Sequence, residues 1–332
     1  MYYRIRHRTR YYYSAPVHES LTEVRMHPRT EGRQRCLDYQ LAVTPKARIH
    51  VYRDFLGNSV HHFGVPAPHN ELNIMAESVV EMKDFAGFPQ SLAPSAWAEL
   101  DAEVQRGDYW EMLLPSRFSS PTALLLELAN RLDAVRRGDP LQLLLELNTR
   151  LHDSFDYEQE STTVDSPIDD ALNQKKGVCQ DFAHIMIAVV RNLGIPCRYV
   201  SGYLHHSDIE HDRSREDATH AWVEAWLPSM GWTGFDPTNN LVARERHIRT
   251  AVGRDYADVP PTRGVFKGDA ATAMAVAVSV TASGQLPPEL AELVLPAEQS
   301  FPHDVLALNA TSDKMTEWQR EQEIQQQQQQ QQ

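Results

Sequence analysis

Three side chains that can form a thiol catalyst lie far apart in this chain of 332 residues. Cys179 opens the apolar run CQDFAHIMIAVVRNLG, whose spacing of apolar residues is that of a buried helix. His220 begins the run HAWVEAWL and Asp236 ends the run WTGFD, and both runs have the length and alternation of β-strands. A thiol with a histidine base and a carboxylate that orients this base is equipped to attack a carbonyl carbon.

The position of Cys179 favours a reactive thiol. On a helical wheel, Phe182, Ile185 and Met186 fall on its side, so the thiol faces the protein. His184 sits about 140° round the helix and cannot be its base. The unpaired N–H groups and the dipole of the first helical turn stabilise a thiolate, and they can also bind an oxyanion.

The base and its orienting group must therefore come from the strands that follow. Alternation puts His220, Trp222, Glu224 and Trp226 on one face of their strand. The short turn after this strand makes the next one its antiparallel partner, so we expect Asp236 to lie opposite His220, with Cβ atoms about 4.5 to 5.5 Å apart. Glu224 competes for the orienting role but lies about 6.6 Å along the same strand. Asp236 is preferred.

Two long runs carry a family resemblance. A resemblance to the transglutaminase-like superfamily of papain-type cysteine enzymes lies in two consecutive runs, GVCQDFAHIMIAVVRNLGIPCRYVSGYL and THAWVEAWLPSMGWTGFDPTNN. The opening YRIRHRTRYYYSAPVHES resembles the β-rich N-terminal domain that precedes this core in a bacterial branch. The resemblance implies Cys179 as the nucleophile, His220 as general base and acid, and Asp236 as the residue that fixes the imidazole.

The chemistry that this resemblance implies is acyl transfer at an amide or peptide bond of a peptide or protein substrate, through a thioester and without a cofactor. We expect hydrolysis, as in a cysteine protease or amidase. Protein-glutamine transglutaminase activity, in which an amine accepts the acyl group, and a catalytically silent peptide-binding relative are the alternatives. The resemblance also implies a side-chain oxyanion donor upstream of the cysteine, and Tyr157 has the nearest suitable hydroxyl.

Other residues near the three have more than one interpretation. Gln180 organises the start of the helix or contacts substrate, and Trp222 flanks a substrate channel or fills the core. Cys197 is expected to pack as a small apolar residue. The histidines that could join Cys179 and His220 in a zinc site are His205, His206 and His211. They lie in a polar loop without CxxC or HExxH spacing, so no metal is predicted.

The pattern along the chain predicts an α+β protein. Residues 1–88 read as an all-β domain, and residues 89–265 as a papain/transglutaminase-like core in which the Cys179 helix packs on an antiparallel sheet. This core includes leading helices over residues 122–136 and from 140 to about 151. Residues 266–310 form a strand extension, and residues 311–332 a glutamine-rich tail that is expected to be disordered.

The composition limits the classes of partner that this protein is expected to bind. The formal net charge of −13 argues against a nucleic-acid binder. No apolar run approaches the roughly 18 residues that span a bilayer, and no apolar segment follows the charged opening, so we expect a cytoplasmic protein without a membrane partner. The three cysteines are too few for a disulfide framework, which leaves a thiol free for chemistry.

Overall fold

In the computed structural model, which describes residues 1–83, 87–206 and 212–287, a β-rich part precedes a mixed helical and β part. The first strands are β1 (Tyr2–Val24), β2 (Gln34–Thr44), β3 (His50–Arg53), β4 (Ser59–Val65) and β5 (His69–Met82). The helices are α1 (Ala96–Gln105), α2 (Ala123–Arg131), α3 (Pro140–Ser154), α4 (Ile168–Gln174) and α5 (Cys179–Asn192). The later strands are β6 (Asp156–Tyr157), β7 (Lys176–Gly177), β8 (Cys197–Leu204), β9 (His220–Leu227), β10 (Gly231–Asp236), β11 (Leu241–Ala243), β12 (His247–Gly253), β13 (Thr262–Lys267) and β14 (Thr272–Ser283).

The N-terminal sheet is built around β1. Its strand order is β2-β5-β1-β4-β3, and both β13 and β14 pair antiparallel with β1. In β1, Tyr3 and Ile5 are buried, whereas the next residue, Arg6, is exposed. Arg6 forms an ion pair of 2.7 Å with Glu77. This alternation is typical of a strand with one buried face and one cationic, solvated face.

Local backbone and side-chain features explain where α2 and α3 begin and where α2 ends. Thr122 accepts a hydrogen bond from the amide of Leu125 at the start of α2, and Asp139 caps α3 in the same way. Helix α2 is shorter than predicted because Asp133 takes a left-handed φ of 51°, which stops the helix. Among the described helices, none is long and apolar enough to cross a membrane.

The second sheet carries α5 on one face. Its order is β11-β10-β9-β8-β12, and all neighbouring pairs are antiparallel. Ala221, Val223 and Ala225 of β9 belong to the core that α5 enters. Helices α2, α3 and α4 pack against α5 as well, which explains why this helix is buried all round rather than along one stripe. The predicted α+β fold, with a cysteine-bearing helix on an antiparallel sheet, is confirmed.

The outer edge of this sheet, formed by β12, is joined to the N-terminal part of the chain. The Asn58 side chain exchanges two hydrogen bonds of 2.8 Å with the backbone of Val252, and Gln34 exchanges two of 2.8 Å with the backbone of Arg249. These amide side chains extend the pairing of β12 as a strand would. Residues 1–286 form one compact unit.

Candidate active site

The start of α5 is held by a carboxylate. Asp181 accepts hydrogen bonds from the Val178 amide (2.8 Å) and the Thr162 hydroxyl (2.6 Å). Gly177 is required here, because a Cβ atom on it would lie 2.8 Å from Cβ of Asp181. Cys179 is therefore the first residue of a fixed helix, with a thiol that is only partly buried.

His220 and Asp236 meet in the interior. Nε2 of His220 lies 2.8 Å from Oδ2 of Asp236, and both side chains are buried. The strand register pairs Phe235 with Val223, so Asp236 is level with Trp222. The expectation that Asp236 lies directly opposite His220 is thus wrong by two residues, and the two side chains meet diagonally on the same sheet face.

Asp236 is surrounded by N–H donors. Its Oδ1 accepts from the amides of Thr238 (3.1 Å) and Asn239 (3.2 Å). Its Oδ2 accepts from the Asn239 side chain (2.8 Å) and lies near Nε2 of both His220 and His247. Burial by itself raises the pKa of Asp236, but attraction to His220 and these hydrogen bonds hold it well below its usual range. Asp236 is therefore an ionised carboxylate.

The imidazole of His220 is held in its charged form. Burial lowers the pKa of His220, but the charge of Asp236, its hydrogen bond and the interaction with the Cys179 thiol outweigh burial and raise this pKa to about 10. Nε2 is committed to Asp236, and the buried Nδ1 has no other partner in hydrogen-bond geometry among the described residues. Nδ1 is therefore the ring nitrogen left for the thiol.

His247 is a fourth member of this network that the sequence interpretation missed. It begins strand β12, and no sequence motif marks it. Nε2 of His247 lies 3.1 Å from the same Oδ2 of Asp236. Burial lowers the pKa of His247, so this ring is neutral and donates its Nε2 proton. Asn239, which follows Asp236 closely, was missed too and fixes the same carboxylate.

Replacement of His247 by phenylalanine should slow the reaction of Cys179 with iodoacetamide about tenfold, because Asp236 loses one charge-assisted hydrogen bond while an aromatic ring stays at this position. The His247→Gln variant keeps an N–H donor and should recover most of the rate. Alkylation rates and melting temperatures of both variants check this expectation. Equal rates in the wild type and His247→Phe would show that Asp236 is positioned without His247.

Tyr157 and Gln180 are two further predicted site residues near the start of α5. Tyr157 is next to Gly177 in the short β6-β7 pair, and burial, followed by the charge of Cys179, raises its pKa to about 12. Its hydroxyl therefore stays protonated near the thiol. The Gln180 amide donates to the carbonyl of Val164 (3.0 Å), which ties it to the preceding loop.

Trp222 lies behind the histidine. Its ring stacks alongside His220 at a centroid distance of 6.0 Å and is 1% exposed. It fits because Gly202 has no side chain, since a Cβ atom there would lie 2.7 Å from the indole. On the sheet face away from α5, Trp222 and Met82 line a cavity of about 680 Å³.

Glu224 and His184, the other carboxylate and histidine that the sequence places near Cys179 and His220, bind other partners. Glu224 forms buried ion pairs with Arg198 (2.6 Å) and Arg249 (3.1 Å). Nε2 of His184 accepts a hydrogen bond from the amide of Tyr256 (3.2 Å), and burial lowers the pKa of His184 to about 3. Neither side chain is placed to serve Cys179.

The other two cysteines are protected thiols. Cys197 is completely buried, and burial raises its pKa to about 12. Burial likewise raises the pKa of the partly buried Cys36 to about 12. Both are therefore neutral thiols over the ordinary pH range.

Two groups of side chains contain residue types that can bind a metal ion. The nearest ligand atoms of His220, Asp236 and His247 all lie within 4.8 Å of one another, and the hydrogen bonds described above account for this closeness. Of the loop histidines, His205 lies near the Val280 carbonyl (3.3 Å), His206 lies 3.3 Å from Asp212, and His211 is outside the described residues. The described loop histidines do not gather with Cys179.

Comparison with known proteins identifies the family. Residues 3–81 match the bacterial transglutaminase-like N-terminal region, and residues 128–237 match the transglutaminase-like superfamily. An uncharacterised protein of Mycobacterium leprae is 36% identical over 84% of this chain and 98% of its own length.

Two further matches extend this comparison. A protein-glutamine gamma-glutamyltransferase of Pseudomonas aeruginosa is 30% identical over 60% of this chain and 30% of its own length. The crystal structure of a candidate cysteine protease from Cytophaga hutchinsonii shares the fold with a TM-score of 0.66, at 24% identity over 86% of this chain and 93% of that one. The chain belongs to the transglutaminase-like superfamily.

Proposed function

We propose that this protein is a thiol-dependent hydrolase of amide or peptide bonds that works through a Cys179-His220-Asp236 triad. The observation that carries the proposal is the buried imidazole of His220, which has Nε2 on an ionised carboxylate and Nδ1 left for a thiol at a helix N-terminus. A histidine that stays cationic up to about pH 10 stabilises an adjacent thiolate.

The first half of the reaction forms a thioester. The sulfur of Cys179 bonds to the carbonyl carbon, and the C=O π electrons move to the oxygen. In this proposal the N–H groups of Cys179 and Gln180, which open α5, donate to this oxyanion, and the protonated hydroxyl of Tyr157 is a third donor. When the oxyanion collapses, the C–N bond breaks and the leaving nitrogen takes the proton from His220.

The second half releases the acyl group. Neutral His220 takes a proton from water as the water oxygen bonds to the thioester carbon. Collapse breaks the C–S bond and releases the carboxylic acid, which restores the thiolate and the protonated imidazole. Asp236 remains ionised throughout and keeps the ring from rotating.

Amine transfer is the second candidate. The similarity of 60% of this chain to a protein-glutamine gamma-glutamyltransferase favours it, because the same thioester forms in both reactions. The two functions differ only in whether water or a primary amine reaches the thioester carbon.

One experiment separates these functions. Full-length protein is incubated with a peptide library that includes glutamine and isopeptide substrates, with and without a fluorescent primary amine. Hydrolysis predicts release of ammonia or of new amino termini at a rate that the amine does not change, and amine transfer predicts incorporation of the label. A Cys179→Ala variant must abolish either product. If the wild type neither turns over a peptide nor becomes acylated by p-nitrophenyl acetate, the proposed chemistry is wrong.

A further inference from the structure

A short strap, residues 212–214, lies against the turn that follows Asp236. The backbone amides of Arg213 (2.8 Å) and Ser214 (3.1 Å) both donate to Oδ1 of Asn239. The hydroxyl of Ser214, a buried residue, accepts a hydrogen bond from Nδ2 of the same asparagine (3.0 Å). Asn239 therefore holds the strap with three hydrogen bonds.

The same asparagine holds the carboxylate of the proposed triad. Nδ2 of Asn239 donates its second proton to Oδ2 of Asp236 (2.8 Å), and the backbone N–H of Asn239 donates to Oδ1 (3.2 Å). Nδ2 also lies 3.4 Å from Nε2 of His220. Because Oδ1 accepts two hydrogen bonds and Nδ2 donates two, the side-chain amide of Asn239 uses its full hydrogen-bonding capacity.

The strap sets the orientation of this amide. Backbone N–H groups can only donate, so the side-chain oxygen of Asn239 must face Arg213 and Ser214. This leaves Nδ2 on the side of Asp236, where its hydrogen bond to the carboxylate is charge-assisted. A reversed amide would place oxygen against the carboxylate and N–H against N–H. Docking of the strap and the observed orientation of Asp236 therefore favour each other.

A buried ion pair links the strap to a second donor on Asp236. The carboxylate of Asp212 is almost fully buried and pairs with Arg246 (2.8 Å). Arg246 directly precedes His247, whose Nε2 lies 3.1 Å from Oδ2 of Asp236. Removal of one partner of such a pair is costly, because it leaves the other charge uncompensated. The strap is thus anchored beside His247 as well as at Asn239.

The side chain of Arg213 provides a third anchor. Its Nη1 donates to the carbonyl of His152 in the last turn of α3 (2.8 Å), and Nδ1 of His152 donates to the carbonyl of Thr238 (2.9 Å). The amide of Thr238 in turn donates to Oδ1 of Asp236 (3.1 Å). Three separate contacts of the strap therefore lead to groups that hold this one carboxylate.

We propose that docking of the strap controls the orientation of Asp236, and that Asn239 is the positioning residue that couples the two. This inference rests on the proposed function, because it concerns the regulation of that site. With the strap docked, Asn239 and His247 hold Oδ2 toward the imidazole of His220. When the strap is released, the Asn239 amide loses the two N–H donors that set its orientation, so Asp236 loses a fixed donor. Release of the strap lowers turnover although every triad residue is still present.

The test is a double-mutant cycle between the strap and Asn239 in the full-length protein. The strap variant combines Arg213→Ala with Ser214→Ala, which removes two side-chain contacts of the strap and no direct donor to Asp236. The rate of alkylation of Cys179 by iodoacetamide is measured. The strap variant and Asn239→Ala should each slow this reaction about tenfold. Their combination should be close to Asn239→Ala alone, whereas independent effects would multiply to about 100-fold.

Two further measurements report the coupling directly. Hydrogen exchange at the amides of Arg213 and Ser214 reports docking of the strap. The Nε2 proton resonance of His220, observed in protein with isotope-labelled histidine, reports its hydrogen bond to Asp236. Asn239→Ala should speed exchange at both amides, and the strap variant should shift the resonance to lower frequency, because coupling between two sites is reciprocal. A role confined to stability would lower the melting temperature without moving this resonance.

Matched variants separate the strap from general destabilisation. Arg137→Ala removes another arginine that donates to a main-chain carbonyl, that of Asp133 after α2 (2.6 Å), and should leave the alkylation rate and the His220 resonance unchanged. Ser214→Thr keeps the hydroxyl and should retain most of the wild-type rate. Ser214→Ala alone should be slower than Ser214→Thr, and it serves as the milder strap variant if the double substitution does not fold.

Three results would overturn the inference: rates in the cycle that multiply, a His220 resonance that does not respond to the strap variant, or strap amides whose exchange is the same in Asn239→Ala. An inert Cys179 in the wild type would refute the proposed function, and the resonance and exchange measurements would then decide the coupling without it. A reactive thiol beside a His220 resonance that ignores the strap would refute only the coupling.

Discussion

Iodoacetamide at pH 6 should alkylate Cys179 selectively, and His220→Ala should slow this reaction roughly 100-fold. An ordinary thiol with a pKa of about 8.5 is less than about 1% ionised at pH 6, whereas a thiolate paired with an imidazolium is reactive there. Cys36 and Cys197 serve as internal controls, because burial raises the pKa of each to about 12. Peptide mapping by mass spectrometry gives the rate at each cysteine.

The pH profile adds a second expected result. The raised pKa of His220, about 10, means that its positive charge is present below this pH and is lost as the pH rises through it. The wild-type alkylation rate should therefore stay nearly constant from pH 6 to 9. In His220→Ala the rate should rise steeply with pH over this range, as it does for an ordinary thiol.

Two results would contradict the ion pair. Slow and equal labelling of all three cysteines would show that Cys179 is not a thiolate. Fast labelling of Cys179 that persists in His220→Ala would show that the helix N-terminus activates the thiol without the histidine. Melting temperatures of both proteins show whether the variant is folded.

Much of the fold follows from local patterns in the sequence. The alternation in β9 and the apolar periodicity in α5 each predict the element and its buried face, because one side of each must pack against a neighbour. The return of β14 to β1 could not be predicted, since strand pairing across some 270 residues leaves no local signal. The same applies to Asn58 and Gln34, whose amides join the two sheets.

The candidate site was predictable to the level of residue types and spacing. The exclusion of His184 from its position on the helix agrees with its hydrogen bond to Tyr256. The register error at Asp236 has a simple cause, because the length of the turn before β10 limits the pairing but does not fix it to a single residue. His247 is on a strand that pairs with β8, so its approach to Asp236 depends on the order of strands in the sheet.

Asp236→Asn should lower the rate of acyl transfer at least about 100-fold and leave the fold intact. The carboxylate accepts hydrogen bonds on both oxygens, including those from the backbone amides of Thr238 and Asn239. An asparagine side chain must turn its NH₂ group toward one set of these donors, and it also removes the charge that keeps His220 cationic. Loss of the orienting carboxylate in a triad costs up to about 10⁴ in turnover.

Glu224→Gln is the matched control for this change. It exchanges another buried carboxylate for the corresponding amide on the same sheet face, but its ion-pair partners are Arg198 and Arg249 rather than His220. Both variants should lose stability, because each leaves a buried polar partner unsatisfied. Only Asp236→Asn should slow both the acylation of Cys179 by p-nitrophenyl acetate and the hydrolysis of the resulting thioester. The opposite ranking of the two variants would make Glu224 the orienting residue, and equal losses that follow the melting temperatures would reduce Asp236 to a structural carboxylate.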